Sequence, residues 1–272
     1  MFSMNVKLLL MCVLLPFSVC SEEITFGIVP QQSATTLAKR WGPILQAVSE
    51  STGHEIVFRT TKDIPEFEKQ LLKGEFDIAY MNPYHYTLFH QTPGYQAFAK
   101  QKDKMIRGLI VVQKGSVLDS ISKLNGKTVA FPSPAAFAAS VLPKAALEQR
   151  GIKVKPMYVS SHDSVYLNVA RGVVEAGGGI ERTLNNIQPE VREQLSVLWR
   201  SEAYTPHAFA YHPNLSIDVV QQIQTALIEL ANTEEGAMLL KAINFSGIAA
   251  AKDQDWDDVR ALNITSLEHL IN

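Results

Sequence analysis

Cysteine is all but missing from this 272-residue chain: the two present, Cys12 and Cys20, both fall within the first twenty residues. Met1–Ser21 carries one cation, Lys7, followed by the apolar run Leu8–Val19. That run is too short to span a bilayer and has the dimensions of a signal-peptide core. Residues 1–21 therefore read as an export signal, cut ahead of Glu22 after the small residues Val19 and Ser21. Cys20 raises a lipid-anchored alternative, but Val19 directly before it fits a lipidation motif poorly, so soluble export to the periplasm is the expectation. Once the leader is removed, a disulfide, a thiolate nucleophile and a cysteine metal ligand are all excluded. No later run is long enough to be a transmembrane helix.

An excess of positive charge is also lacking. Lys and Arg total 25 against 27 Asp and Glu, and removing the leader makes the balance one unit more negative. No basic face is in prospect, so nucleic acid is not an expected partner. Catalytic signatures are missing too. There is no Gly-x-Ser-x-Gly, no His-Glu-x-x-His, no Walker motif and no dinucleotide fingerprint. Gly177-Gly178-Gly179 lacks the spacing of a phosphate loop and reads as a place where backbone approaches closely. With 46% hydrophobic and 19% charged residues, the composition is ordinary for one large or two small globular domains.

What is present is an alternation of strands and helices. Ile24–Val29 predicts a strand, Pro30–Ser33 a polar turn, and Thr35–Thr52 a helix carrying Leu37, Trp41, Ile44, Leu45 and Val48 at helical spacing, with Gly53 as stop. Glu55–Arg59 is the next strand, Ile64–Lys73 a helix, and Phe76–Tyr80 a strand running into Met81-Asn82-Pro83. That order builds a parallel sheet. Tyr95–Lys100 and Arg107–Gln113 add two strands.

The pattern then begins again with a short helix at Val117–Leu124. Lys127–Phe131 alternates as a strand, Pro132-Ser133-Pro134 breaks it, and Ala135–Gln149 follows as an Ala- and Leu-rich helix before Gly151. Strand, tight loop and helix start is the geometry in which free N–H groups and the helix dipole face an anion, although most such turns bind nothing. Strands at Lys153–Tyr158, Glu175–Gly178 and Ser196–Arg200 alternate with helices at Asp163–Arg171 and Glu181–Asn186. A last strand at His207–Tyr211 precedes the amphipathic helix Ile217–Asn232, a short helix at Thr233–Ile243 and a mixed tail, Asp253–Leu270, expected to pack back on the body.

Four stretches, ITFGIVPQQS, LLKGEFDIAYMNP, LNGKTVAFPSPAA and SSHDSVYLNVARGVVEAG, resemble the phosphate/phosphite/phosphonate-binding (PhnD-like) proteins of ABC importers. The resemblance covers about Ile24 to Leu240. It implies a type II periplasmic binding protein: two α/β lobes joined by two crossover strands, expected at Arg107–Gln113 and His207–Tyr211. One lobe would hold residues 22–106 and 207–272, the other residues 107–206. It further implies a small anionic, phosphonate- or phosphate-like oxyanion held between the lobes by hinge closure, an ABC permease as partner, and a monomer without cofactor or metal. The same fold feeding a membrane histidine kinase is the alternative function, and an enzyme is the weaker third reading.

By position, the resemblance assigns ligand contacts to Gln31 and Gln32 in the first loop, to Tyr80, Asn82 and Tyr84 after the third strand, to Ala136, Phe137 and Ala138 at the helix start, and to His162; Ser133 is a candidate only as a nearby hydroxyl and does not match by position. The third group departs from the family. A Ser-Thr-Ser run is usual there, and this chain has Ala136-Phe137-Ala138. Three side-chain donors are gone while the backbone donors remain, which favours a ligand with fewer anionic oxygens and an apolar part facing Phe137. His207 and Glu181 are the nearest residues to where aminophosphonate binders carry acids.

Some readings need no family. His162 lies between a strand and a helix, where open α/β sheets bind ligands, and Asp163 is placed to cap that helix; a solvated loop histidine is the plain alternative. Asn82 and Pro83 make a good helix start whether or not Asn82 also touches a ligand. Thr60 ends the second strand with a hydroxyl that either reaches the ligand or caps the next helix. Arg107 is the one cation expected at a crossover, available to an anion or to an ordinary salt bridge. His85 and His90 read as a partly buried pair.

Overall fold

The computed structural model of the protein describes residues 23–264. Residues 1–22, with the expected leader and both cysteines, and residues 265–272 lie outside them. Eleven strands form: Ile24–Ile28 (β1), Ile56–Arg59 (β2), Ile78–Met81 (β3), Gln96–Gln101 (β4), Gly108–Gln113 (β5), Thr128–Phe131 (β6), Lys155–Tyr158 (β7), Ala176–Ile180 (β8), Leu195–Arg200 (β9), Ala208–Tyr211 (β10) and Ile248–Ala250 (β11). They divide into two sheets, ordered β11-β4-β10-β3-β1-β2 and β7-β6-β8-β5-β9. No helix among the described residues is long and apolar enough to cross a membrane.

In the first sheet β1 pairs in parallel with β2 and β3, while β10 runs antiparallel between β3 and β4. The helix Ala34–Thr52 crosses from β1 to β2 and buries the predicted stripe Leu37, Trp41, Ile44, Leu45 and Val48. Ser33 caps its start by accepting from the Thr36 amide at 3.3 Å, and Gly53, at φ 73°, turns the chain out of the helix. Beneath the sheet, Glu68 and His85 are both buried and meet at 3.0 Å. His85 is therefore not paired with His90, whose Nδ1 lies 2.9 Å from the Tyr95 carbonyl.

The second sheet owes its close packing to glycine. A Cβ at Gly177 would come within 2.8 Å of Val169, and one at Gly178 within 2.7 Å of the Phe131 ring while overlapping the Ala139 carbonyl oxygen. A Cβ at Gly179 would meet the ring of Tyr166 at 2.7 Å. The glycine run thus seats two helices against β8, as its composition suggested.

The expected helix Ala135–Gln149 starts differently. Phe137–Val141 forms a widened π turn, with the Ser140 and Val141 amides both directed at the Ala136 carbonyl, and the α-helix proper is Leu142–Glu148. Pro143 supplies the reason: it has no N–H to donate to Ala139, four residues back, and its ring would crowd that carbonyl in a regular helix. The expected helix Val117–Leu124 contracts to a single turn at Ile121–Leu124, and a short helix at Pro189–Arg192 and strand β11 join the predicted set.

The chain passes between the sheets twice, as the resemblance implies, but not within the strands first assigned to the task. β5 and β10 each stay in one sheet. The crossings are the segments 102–107 and 201–207, which pair antiparallel through Ile106 and Tyr204 with amide–carbonyl distances of 2.8 and 2.9 Å. Ser201 secures one end by accepting from the Gly108 amide at 2.8 Å. The tail packs back as expected: Trp256 is fully buried and donates to the Pro206 carbonyl at 2.8 Å.

The two halves are shut against each other. One continuous buried cluster contains Phe26, Trp41, Tyr80 and Phe209 of the first sheet's half together with Ala135–Ala139, Leu142 and Ile180 of the second. Burial of this apolar helix start holds the closed arrangement.

Candidate functional site

The carboxyl ends of β1, β3, β6 and β8 converge where the halves meet. Here Gln31, Asn82, Ala136, Phe137, Ala138, His162 and His207 line one enclosed cavity, walled further by Val29, Ile64, Ile106, Ala139 and Ile180. Its volume is about 10 Å³, room for roughly one water. No acidic side chain lines it.

Three residues of the wall, 137–139, carry amides without an acceptor. Residues 137–139 open the π turn, so no preceding turn accepts from their amides, and among the described residues no other acceptor does. Tight packing places them. The Ala138 and Ala139 carbonyls press on Gly108 and Gly178, and Phe137 meets the Tyr204 ring edge-on at 5.6 Å.

His162 supplies a fourth group. It is the first residue of the helix His162–Ala170, whose cap is Ser161 rather than Asp163. The His162 amide donates across the cleft to the Gln31 carbonyl at 3.0 Å. Its ring is 1% exposed, with Nδ1 3.1 Å from Thr183 Oγ1 and Nε2 without any partner. Thr183 is itself fixed by Tyr166 Oη at 2.9 Å and the Ile180 carbonyl at 3.1 Å. Thr183 has a single proton for the Ile180 carbonyl and His162 Nδ1: donated to Nδ1 it leaves the imidazole proton on Nε2, ready for a ligand oxygen, whereas donated to Ile180 it leaves Nε2 an acceptor. Burial, aided by the Arg182 charge, pushes the His162 pKa down to about 3, so the ring is neutral near pH 7.

Gln31 joins the two halves. Its Oε1 accepts from the Arg182 guanidinium and its Nε2 lies 2.9 Å from His207 Nε2. The arginine fixes which end of the amide is which, so His207 accepts and holds its proton on Nδ1. Burial first, then Arg182, keep His207 well below its ordinary pKa. Tyr80 stacks on the His207 ring at 5.1 Å, and the Arg182 guanidinium lies 5.5 Å from the Tyr80 ring centre on its other contact. Asn82 caps the helix Pro83–Phe89 by accepting from the His85 amide at 2.8 Å, and its Nδ2 reaches toward the Ala135 carbonyl at 3.4 Å.

Five expected contacts lie elsewhere. Tyr80 is behind His207 and faces a separate hinge-side pocket. Gln32 sits on an outer groove, within 3.5 Å of Asp163 and accepting from Arg40, where it ties the halves together. Thr60 donates to the Ile28 carbonyl at 2.7 Å, so its hydroxyl is spent on the strand edge. Tyr84, on the second residue of its helix, points to a groove shared with Val259 and Arg260. Ser133 is buried with an unpartnered hydroxyl but does not line the cavity. Arg107 is exposed and donates to the Ser201 carbonyl at 2.8 Å.

Sequence reasoning missed Arg182. It stands two residues beyond β8, at a carboxyl strand end in the same way that His162 does, and that rule was the available signal. No group of three or more side chains suited to a metal comes together among the described residues.

Residues 26–256 match the family model described as the periplasmic substrate-binding protein of the phosphonate ABC transporter. A phosphate-import protein, PhnD, of Mycolicibacterium smegmatis is 22% identical over 88% of this chain and 84% of its own. Among solved structures, a binding protein component of an ABC phosphonate transporter from Pseudomonas aeruginosa superposes with TM-score 0.84 at 19% identity, covering 90% of this chain and 87% of that one. PhnD1 of Prochlorococcus marinus, in complex with methylphosphonate, gives 0.80 at 18% identity over 89% and 98%. At these identities the solved structures establish the fold: a two-lobed type II periplasmic binding protein.

Proposed function

Because this chain belongs to the family of periplasmic substrate-binding proteins of phosphonate ABC transporters, we propose that it delivers a small oxyanion of the phosphonate or phosphate kind to an ABC permease, after export through its leader. The anion sits in the inter-lobe cavity, bound by the amides of Phe137, Ala138 and Ala139 and by His162 Nε2, with Asn82 and Gln31 beside it. Within the described residues, 23–106 and 207–264 act as one lobe and 107–206 as the other, hinged on the paired segments around Ile106 and Tyr204.

One observation carries this reading. A fully buried His162 Nε2 without a partner borders the same cavity as three unpaired amides, and leaving buried polar groups unsatisfied costs about 1–3 kcal/mol each. An anion that accepts from all four relieves that cost, and the absence of any carboxylate in the wall suits it. The side chains of Ala136, Phe137 and Ala138 narrow the space to about one water in this closed form, so the head is held with the lobes further apart at the hinge. Opening before capture is the ordinary cycle for a hinged receptor. The M. smegmatis relative, named for phosphate import, and the P. marinus protein, bound to methylphosphonate, support the ligand class. The kinase-input alternative draws no support from either.

Titration calorimetry tests the proposal on the mature chain, with methylphosphonate, inorganic phosphate and sulfate as probes. Saturable binding of a phosphorus oxyanion, weakened at least about tenfold in His162→Ala, is the expected result. No binding by any probe, or unchanged affinity in His162→Ala, would overturn it.

A further inference from the structure

Beside the anion cavity, on the hinge side, lies a second pocket of about 240 Å³, and the two spaces share Ile106, Ile180 and His207 as common wall. The inner space is little more than one water wide, whereas the outer one has room for several heavy atoms. Their charges differ as well. The inner cavity is neutral in its side chains, while Lys104, Arg107, Arg182 and Glu181 border the outer one. Glu181 does not serve as counter-ion there, since it lies 3.4 Å from Arg200. Arg107 is turned to the Ser201 carbonyl.

Arg182 is the telling residue. Its guanidinium is partly buried between the lobes, donates to Gln31 Oε1 and lies over Tyr80, yet no carboxylate pairs with it among the described residues. A guanidinium has five donors, and taking it partly out of water without an opposite charge is unfavourable. Planar and forked, it matches a carboxylate or a phosphate-type group bidentately, and with the phosphonate head assigned to the inner cavity the carboxylate is the partner left for it. A positively charged substituent in this pocket would meet three cations and no free acid.

On the reading of the inner cavity as the anion site, we propose that the ligand is a two-headed anion. Its phosphonate-like head occupies the inner cavity, and a second, carboxylate-bearing arm lies in the hinge-side pocket against Arg182. The arm passes the shared residues Ile106, Ile180 and His207 through a short carbon link. The aliphatic residues of that wall suit such a methylene link. His207, neutral and held by Gln31, separates the heads without adding charge to either compartment.

The test is calorimetry on the mature protein with three probes that share one head: methylphosphonate, phosphonoacetate and 2-aminoethylphosphonate. Phosphonoacetate is expected to bind at least about tenfold more tightly than methylphosphonate, and 2-aminoethylphosphonate more weakly than either, since a charge-assisted hydrogen bond to Arg182 is gained in the first case and repulsion in the last. Arg182→Gln removes the preference for phosphonoacetate over methylphosphonate, and Arg182→Glu reverses the order in favour of the amine. Thermal melts of both variants establish that they fold. Equal affinities in the unaltered protein overturn this inference alone and leave the anion-receptor reading in place, as does an Arg182→Gln variant that weakens all three probes alike. Failure of every probe to bind overturns both.

Discussion

Gln31 Nε2 and His207 Nε2 lie 2.9 Å apart, one on the first loop and the other on the second crossing segment. The amide nitrogen only donates, so the imidazole nitrogen must accept, and His207 is neutral in the closed form. Protonating it would set two donors against each other next to Arg182. His162, also buried and neutral, sits across the same cavity. The closed lobes are thus built around two histidines that fold in their neutral, singly protonated form.

A pH dependence follows from those two rings. Both have folded pKa values below the ordinary 6.5, and His162 falls to about 3. Between these limits the unfolded chain binds more protons than the folded one, so stability rises with pH. Above about pH 6.5 neither ring opposes folding; as pH falls below that, the cost of keeping His162 neutral grows down to about pH 3, and His207 adds to it in the same direction. Melting temperature measured from pH 8 to 4 should be flat in its upper part and drop steeply below about 6.5. In His162→Gln and His207→Gln the drop should be shallower. A variant slope equal to that of the unaltered protein would contradict the assignment.

Gly178→Ala tests how the helix start is seated. The added methyl would overlap the Ala139 carbonyl oxygen and come within 2.7 Å of the Phe131 ring, and backbone must move to admit it. A loss of about 1–3 kcal/mol is expected, which lowers the melting temperature by roughly 2–4 °C per kcal/mol in a chain of this size. Because residues 137–139 shift with the carbonyl, oxyanion affinity should fall as well. Unchanged stability and affinity would show that the glycine run does not position the amides.

The two-sheet division was legible because each strand–helix unit carries its own signals. Ser33 and Gly53 bracket one helix, Asn82 and Pro83 open another, and the apolar stripe from Leu37 to Val48 is buried as its spacing requires. His162, His207 and Asn82 come together because each stands at a carboxyl strand end or a crossing. What stayed hidden depends on direction or on distant partners. Tyr84 is only two residues past Asn82, yet its place on the helix turns it away from the cleft. Thr60 spends its hydroxyl on β1, a choice visible only once β1 and β2 are paired. The π turn at Phe137 arises from Pro143 and from the glycines on β5 and β8, residues brought together only by folding. Arg182 carries only the strand-end signal: an arginine in a first helical turn takes its meaning from Gln31, 151 residues earlier.

The central claim is that Phe137, Ala138 and Ala139 donate to the ligand together with His162. Amide-resolved NMR of the ¹⁵N-labelled mature protein, titrated with methylphosphonate, addresses it most directly. The account predicts saturable downfield shifts of those three amide protons and a ¹⁵N change at His162 Nε2, with the Tyr84–Arg260 groove and the outer Gln32–Arg40 groove unmoved. Saturable shifts centred on either groove, with residues 137–139 and His162 silent, would contradict it.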